Sequence, residues 1–190
     1  MSRLNIVLDL DNTLICALSE KELDKHKDIK GLEYKDMKGY YRIFMRPFLR
    51  DFLNVAFQRY DVTVWTAASK DYALFIIDNI LIPKDMRDKC KLKMFFYDEH
   101  CDHSQKMYDP NSPKDLRYLY HYPGYHPCNT LIVDDLSDVH KANPKHIIKA
   151  PYFDAKKPDA KEDLFLLDLI ATLDDIRLKY EESGCKNHNH

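Results

Sequence analysis

The chain has 190 residues, a length that suits one domain, and 45% of them are apolar, enough for a core and too many for intrinsic disorder. Lys and Arg (29) nearly balance Asp and Glu (31), leaving a net charge of −2 and no basic excess to drive non-specific nucleic-acid binding. Four glycines are too few for a glycine-rich phosphate loop, no apolar stretch can span a bilayer, and acids interrupt the first apolar run, so an intracellular globular domain without membrane contact is expected.

Residues 4–10, LNIVLDL, read as a short buried strand whose carboxylates come at its end. Residues 15–39 are highly charged and weakly periodic and are expected to form a projecting loop or flap, followed by a strand over 40–45. Pro47 is expected to open a helix in which Phe48, Phe52, Ala56 and Leu49, Leu53, Phe57 recur at helical spacing. A second buried strand covers 61–65, and Ser69 caps a helix running to about Leu81, before Pro83. Residues 91–97 suggest a third strand, 98–113 a loop, and Ser112-Pro113 the start of a short helix to about Tyr120. Strands over 130–133 and 147–148 and an amphipathic helix over 161–180 complete the pattern. Alternating strands and helices point to an α/β, Rossmann-like parallel sheet with helices on both faces. The domain is expected to span 1–182, with a flexible tail over 183–190.

The cysteines, Cys16, Cys90, Cys101, Cys128 and Cys185, are odd in number and lack a Cys-x-x-Cys pair, which implies reduced thiols rather than a disulfide framework. His100, Cys101, His103, His121, His126 and Cys128 lack finger spacing, so loop residues are a plainer reading of that cluster than a zinc site, which stays open.

In such sheets functional groups collect at the carboxyl ends of strands. There stand Asp9 and Asp11, then Thr66, then Asp134 with Asp135; Lys114 lies at a predicted helix start. Four converging acids repel without a cation, and a hard divalent ion such as Mg²⁺ is the natural occupant. Acids, a metal, one lysine and one hydroxyl suit a phosphoryl group. Each residue also has a plain structural use: strand-ending acids start turns, Thr66 could cap a helix, and Tyr72 could be a core or rim tyrosine. Arg46 is assigned to capping or pairing within the fold.

The run Asp9-Leu10-Asp11-Asn12-Thr13 resembles the first motif of the haloacid dehalogenase superfamily, Trp65-Thr66-Ala67-Ala68 the second, Lys114-Asp115-Leu116 the third and Ile132-Val133-Asp134-Asp135 the fourth. DLDNTL, Arg46-Pro47-Phe48-Leu49 and WTAAS with Tyr72 narrow the resemblance to the RNA polymerase II C-terminal-domain phosphatases, including the small, NLI-interacting-factor-like ones. The resemblance covers residues 4–175. It implies a haloacid dehalogenase fold without a full cap and a Mg²⁺-dependent phosphoserine/phosphothreonine protein phosphatase. Asp9 would be the nucleophile, Asp11 the general acid and base, and Thr66 and Lys114 would steady the phosphoryl group. Asp9, the Asp11 carbonyl and Asp135 would hold the metal with Asp134 behind them, and Tyr72 would face the substrate.

Two departures stand out. Asp135 stands where the family that the chain resembles usually carries asparagine, adding a negative charge. Asp98-Glu99-His100-Cys101 replaces Arg-Glu-x-Cys, removing a basic residue expected to dock substrate. The implied partner is a phosphorylated protein or peptide, the polymerase tail among the candidates, acted on by a monomer. The competing readings are a receiver-type phosphoacceptor, disfavoured because Lys114 precedes the last acids, a small-molecule phosphatase of the same superfamily, and a silent binding module.

Overall fold

A computed structural model describes residues 3–187. In chain order its strands are β1 (Asn5–Leu8), β2 (Ile15–Ser19), β3 (Tyr34–Met37), β4 (Tyr41–Met45), β5 (Asp61–Trp65), β6 (Met94–Phe96), β7 (Thr130–Asp134) and β8 (Ile147–Lys149). The α-helices are α1 (Glu20–Lys25), α2 (Leu49–Arg59), α3 (Lys70–Ile76), α4 (Asp98–Met107), α5 (Ser137–Ala142) and α6 (Phe165–Ser183). A π turn, Ile77–Leu81, prolongs α3 to the predicted end before Pro83.

Five strands form a parallel sheet in the order β6-β5-β1-β7-β8. The apolar runs of β1, β5 and β7 follow from this: strands covered on both faces need no polar alternation. Successive residues of β1 feed opposite layers. Ile6 and Leu8 pack in a core with Phe52 and Leu53 of α2, Ile76 of α3 and Leu169 of α6. Val7 packs on the other side with Cys101 of α4 and Val139 of α5.

Residues 15–39 are more ordered than a loop. β2, β3 and β4 make a three-stranded antiparallel sheet in the order β2-β4-β3, with α1 between β2 and β3. β3 is almost wholly exposed, so its sequence, YKDM, shows no buried alternation to read. Pro47 does not open α2: Phe48 takes a left-handed conformation (φ 64°), and the helix begins at Leu49. Most of the loop expected over 98–113 is α4. Its acids, Asp98 and Glu99, occupy the first turn, where the helix dipole favours them. Only Cys101 and Ser104 are buried, too narrow an apolar stripe to recognise.

The cysteine expectation fails at one pair: Cys128 and Cys185 form a disulfide, while Cys16, Cys90 and Cys101 are free and buried. The partners are 57 residues apart. They meet because α6 lies against the start of the sheet, where Ile176 and Tyr180 border the same recess as Leu4 and Leu131. No local spacing announces such a pair. Of the expected tail, Ser183 closes α6, Gly184–Asn187 form a 3₁₀ turn, and 188–190 lie outside the described residues. Among the described residues, no helix is long and apolar enough to cross a membrane.

Candidate active site

The strand order reverses at β1, because the chain proceeds from it to β5 and β6 on one side and to β7 and β8 on the other. A crevice at the carboxyl ends belongs at that switch point. Leu8 is in register with both Val64 and Val133, so Asp9, Trp65 and Asp134 come next at one level. Asp9 N–H donates to the Val133 carbonyl (3.1 Å), seating the start of the loop. Leu10 then accepts from Thr13, Leu14 and Ile15, and Asn12 takes a left-handed conformation (φ 62°) that asparagine tolerates better than most residues.

Asp9 is buried between two donors. Lys114 Nζ donates to its Oδ1 (2.5 Å) and Thr13 Oγ1 to its Oδ2 (2.9 Å). The same ammonium reaches Asp134 Oδ2 (2.7 Å), and the Thr13 hydroxyl lies 3.1 Å from Asp135 Oδ1. Asp134 is fixed further by the Leu136 N–H at its other oxygen (2.8 Å). Lys114 is fully buried, and its backbone is held by Asn143, whose side chain donates to the Lys114 carbonyl (2.8 Å) and accepts from the Leu116 N–H (2.9 Å). Ser104 of α4 accepts from Asp115 N–H (3.1 Å) on the same turn.

Asp11 faces outward. Tyr72 Oη donates to its Oδ1 (2.6 Å), and the Tyr72 ring meets Tyr41 edge-on with centroids 5.9 Å apart. These residues, with Ala17, Ala68 and Ser69, border an open recess of about 400 Å³. Thr66, one residue beyond β5, is buried; its Oγ1 accepts from Ala68 N–H (3.1 Å), which leaves the hydroxyl proton for another oxygen. No hydrogen bond joins Thr66 to the acids among the described residues.

Burial dominates the proton affinities. It lifts Asp9 to about 6, against the opposing pull of Lys114 and Thr13. Burial also raises Asp11, Asp134 and Asp135, with Asp134 adding to the last. For Lys114 burial opposes the charge, but the carboxylates of Asp9 and Asp134 outweigh it and hold the ammonium well above the usual lysine range.

A model of the NLI interacting factor-like phosphatases matches residues 4–183. The chain belongs to this phosphatase family. It is 36% identical over 182 residues to a CTD phosphatase-like protein of Invertebrate iridescent virus 3, covering 90% of this chain and 96% of the relative. The counterpart in Invertebrate iridescent virus 6 is also 36% identical, over 173 residues, covering 87% and 94% of the two chains. A Dictyostelium discoideum protein described as a C-terminal domain small phosphatase is 30% identical over 94% of this chain, which spans 54% of that relative's length. Among solved structures, the RNA polymerase II CTD phosphatase Fcp1 superposes with a TM-score of 0.65 at 20% identity, covering 99% of this chain and 67% of Fcp1, and shows the shared fold.

In this NLI interacting factor-like phosphatase, Asp9, Asp134 and Asp135 bring carboxylate oxygens within 4.8 Å of one another, and among the described residues they are the only His, Cys, Asp or Glu group so placed. Three hard oxygen donors, facing a single lysine, fit a divalent cation of the Mg²⁺ type. Of the residues in the open zinc question, Cys128 is bonded to Cys185, and among the described residues the others do not converge as a group of three metal ligands.

Sequence reasoning missed several residues around the site. Thr13 was visible only as a motif letter, yet its hydroxyl links Asp9 to Asp135. Tyr41 lies on a strand that gave no sign of facing Asp11. Asn143, just past the end of α5, and Ser104 of α4 act on the Lys114 turn, and no spacing in the chain reveals that. Arg46, kept out of the site, does pair within the fold: its guanidinium grips Asp163 with two bonds (2.9 and 2.8 Å). It also donates to the carbonyls of Thr13 (3.0 Å) and Pro151 (2.9 Å).

Proposed function

We propose that this family member is a Mg²⁺-dependent phosphoserine/phosphothreonine protein phosphatase that works through an aspartyl-phosphate on Asp9. The observation that carries the reading is the separation of two carboxyl groups two residues apart. Asp9 is clamped inside by Lys114 and Thr13, while Asp11 is turned to the open recess and bonded to Tyr72. One carboxylate is thus oriented for attack and the other for proton transfer.

In the first step an Asp9 oxygen attacks phosphorus, the bond to the serine or threonine oxygen breaks, and protonated Asp11 gives that oxygen its proton. In the second step Asp11 takes a proton from water, whose oxygen attacks the phosphorus of the aspartyl-phosphate and frees Asp9 and inorganic phosphate. Lys114 stays protonated throughout and, with the free hydroxyl proton of Thr66, offsets charge on the phosphoryl oxygens. Asp9, Asp135 and the Asp11 carbonyl would hold Mg²⁺, with Asp134 behind them; the bound ion supplies charge neutralisation at the phosphoryl group.

The substrate reading rests on the open recess. An open recess leaves room for the flanking residues of an extended chain along Tyr41 and Tyr72 while its phosphate reaches Asp9. The viral relatives, named as CTD phosphatase-like, and Fcp1, named as a CTD phosphatase, favour a phosphorylated protein, including tails of that kind, as substrate.

Phosphate release from an aryl phosphate and from a panel of phosphopeptides, with Mg²⁺ or chelator, tests the whole. Chelator should abolish release and Mg²⁺ restore it. Phosphopeptides should exceed sugar and nucleotide monophosphates in kcat/KM by at least ~10-fold, about 1.4 kcal/mol of transition-state binding. Asp9→Asn, well folded, should lose several orders of magnitude. Chelator-resistant turnover would refute the metal, an active Asp9→Asn the intermediate, and equal turnover of a small metabolite the protein substrate.

A further inference from the structure

A second concavity, of about 410 Å³, opens between the α1–β3 connection and residues 155–161. Six lysines line it: Lys25, Lys27, Lys30, Lys156, Lys157 and Lys161. Asp28 is the only carboxylate in its wall. Lys156 reaches Glu22 and Asp154 only at 3.9 Å, and among the described residues the other five have no ion-pair partner. On a molecule of net charge −2, these lysines face one hollow whose wall carries a single carboxylate, a local concentration of positive charge.

The hollow is built, and it is tied to the catalytic loop. Its floor is a small apolar cluster in which Leu18 and Phe44 pack against Ala155 and Ala160. Gly31, at φ +77°, lets the 25–32 turn close against Lys161, whose Cδ would lie 3.2 Å from any added Cβ. Two residues before Ala155, Phe153 exchanges hydrogen bonds with Asn12: its N–H donates to the Asn12 carbonyl (2.8 Å) and its carbonyl accepts from the Asn12 side chain (2.9 Å). Chain connectivity through Asp9, Asn12, Phe153 and Ala155 therefore puts the hollow within about 25 Å of the nucleophile, a span of seven or eight extended residues.

We propose that this lysine-lined hollow docks an acidic or additionally phosphorylated segment of the same polypeptide whose phosphate is removed at Asp9. The inference rests on the protein-phosphatase reading. A peptide is favoured over a free anion because lysines of two separate segments, 25–30 and 156–161, line the hollow, and the chain path keeps it within reach of a segment bound at Asp9. It is favoured over a nucleic acid or an anionic membrane because the lysines are confined to one concavity rather than spread over a face. Docking there would replace the basic residue absent at Asp98 and place substrate selection away from the reacting atoms.

Two measurements test it. The first compares kcat/KM for phosphopeptides carrying an acidic or a neutral flank, at low salt, in the wild type and in a Lys27→Glu/Lys30→Glu/Lys157→Glu variant. The wild type should prefer the acidic flank by about 10-fold, and 0.3 M salt or the charge reversal should remove that preference, with aryl phosphate turnover unchanged. The second is fluorescence anisotropy of an unphosphorylated acidic peptide, which reads docking without catalysis and should weaken in parallel. If the triple Glu variant does not fold, Lys→Gln at the same positions carries both measurements. A preference untouched by the substitutions overturns the proposal, as does tighter competition by anionic vesicles or single-stranded DNA of equal charge. Loss of phosphopeptide turnover with lysine-dependent peptide binding intact would instead sink the phosphatase reading and leave the hollow standing.

Discussion

Tyr72 and Asp11 show how one hydrogen bond sets a working proton affinity. Burial is the main influence on Asp11 and raises it, while the Tyr72 hydroxyl, donating at 2.6 Å, favours the anion and pulls the other way. Burial and the neighbouring Asp11 charge in turn hold the Tyr72 hydroxyl far above its usual range, so it remains a donor at any working pH. Tyr72→Phe removes that donor and keeps the ring against Tyr41. Asp11 should then bind its proton more tightly. A general acid must be protonated, so the descending limb of the kcat/KM profile should move to higher pH for substrates with poor leaving groups. The second step, in which Asp11 is a base, follows release of the alcohol and does not enter kcat/KM. A pH–rate profile checks this; an unmoved or downward-shifted limb would show that Asp11 is not the acid.

At the scale of elements, the loop bearing Asp9 is held from outside by a residue the motif does not contain. Arg46, at the end of β4, joins the Thr13 carbonyl to Pro151 and Asp163, and its guanidinium lies over the Phe165 ring at 4.4 Å. Lysine cannot supply that fork. Arg46→Lys should cost about 3 kcal/mol in urea denaturation, the scale of breaking a buried pair from one side, and should lower kcat, because Thr13 positions Asp9. Unchanged stability would mean that the fork is solvent-compensated. The same pair explains what could be read from the chain and what could not. β1, β5 and β7 were legible because strands covered on both faces are continuous apolar runs, and the acids were legible because they directly follow those runs. Asp163 stands 117 residues from Arg46, so only the folded chain brings them together. α4 was hidden by its polar content, with two buried positions in ten, and the antiparallel sheet by exposed β3. Local pattern reports burial, and these elements bury little.

For the molecule as a whole, the clustered acids are a source of instability that a bound cation should relieve. Asp9 has a folded-state pKa of about 6 against an ordinary value of 3.8, so between those values the native state binds more protons than the unfolded chain. Stability attributable to this group therefore falls as pH rises through that window, by about 1.4 kcal/mol for each pKa unit of separation, and the penalty is fully present above pH 6. Asp11, Asp134 and Asp135, also raised by burial, add in the same direction. A divalent ion binds the folded state alone and competes with these protons, so it should stabilise most where the carboxylates are ionised. Thermal denaturation in chelator and in millimolar Mg²⁺, at pH 5 and at pH 7.5, separates the contributions. The rise in Tm with Mg²⁺ should be large at pH 7.5 and small at pH 5, and Asp9→Asn should be more stable than the wild type in chelator at pH 7.5, with the gap closing toward pH 5. A Mg²⁺ increment independent of pH would mean that the ion is not held by Asp9, Asp134 and Asp135, the one group of three acids that converges among the described residues.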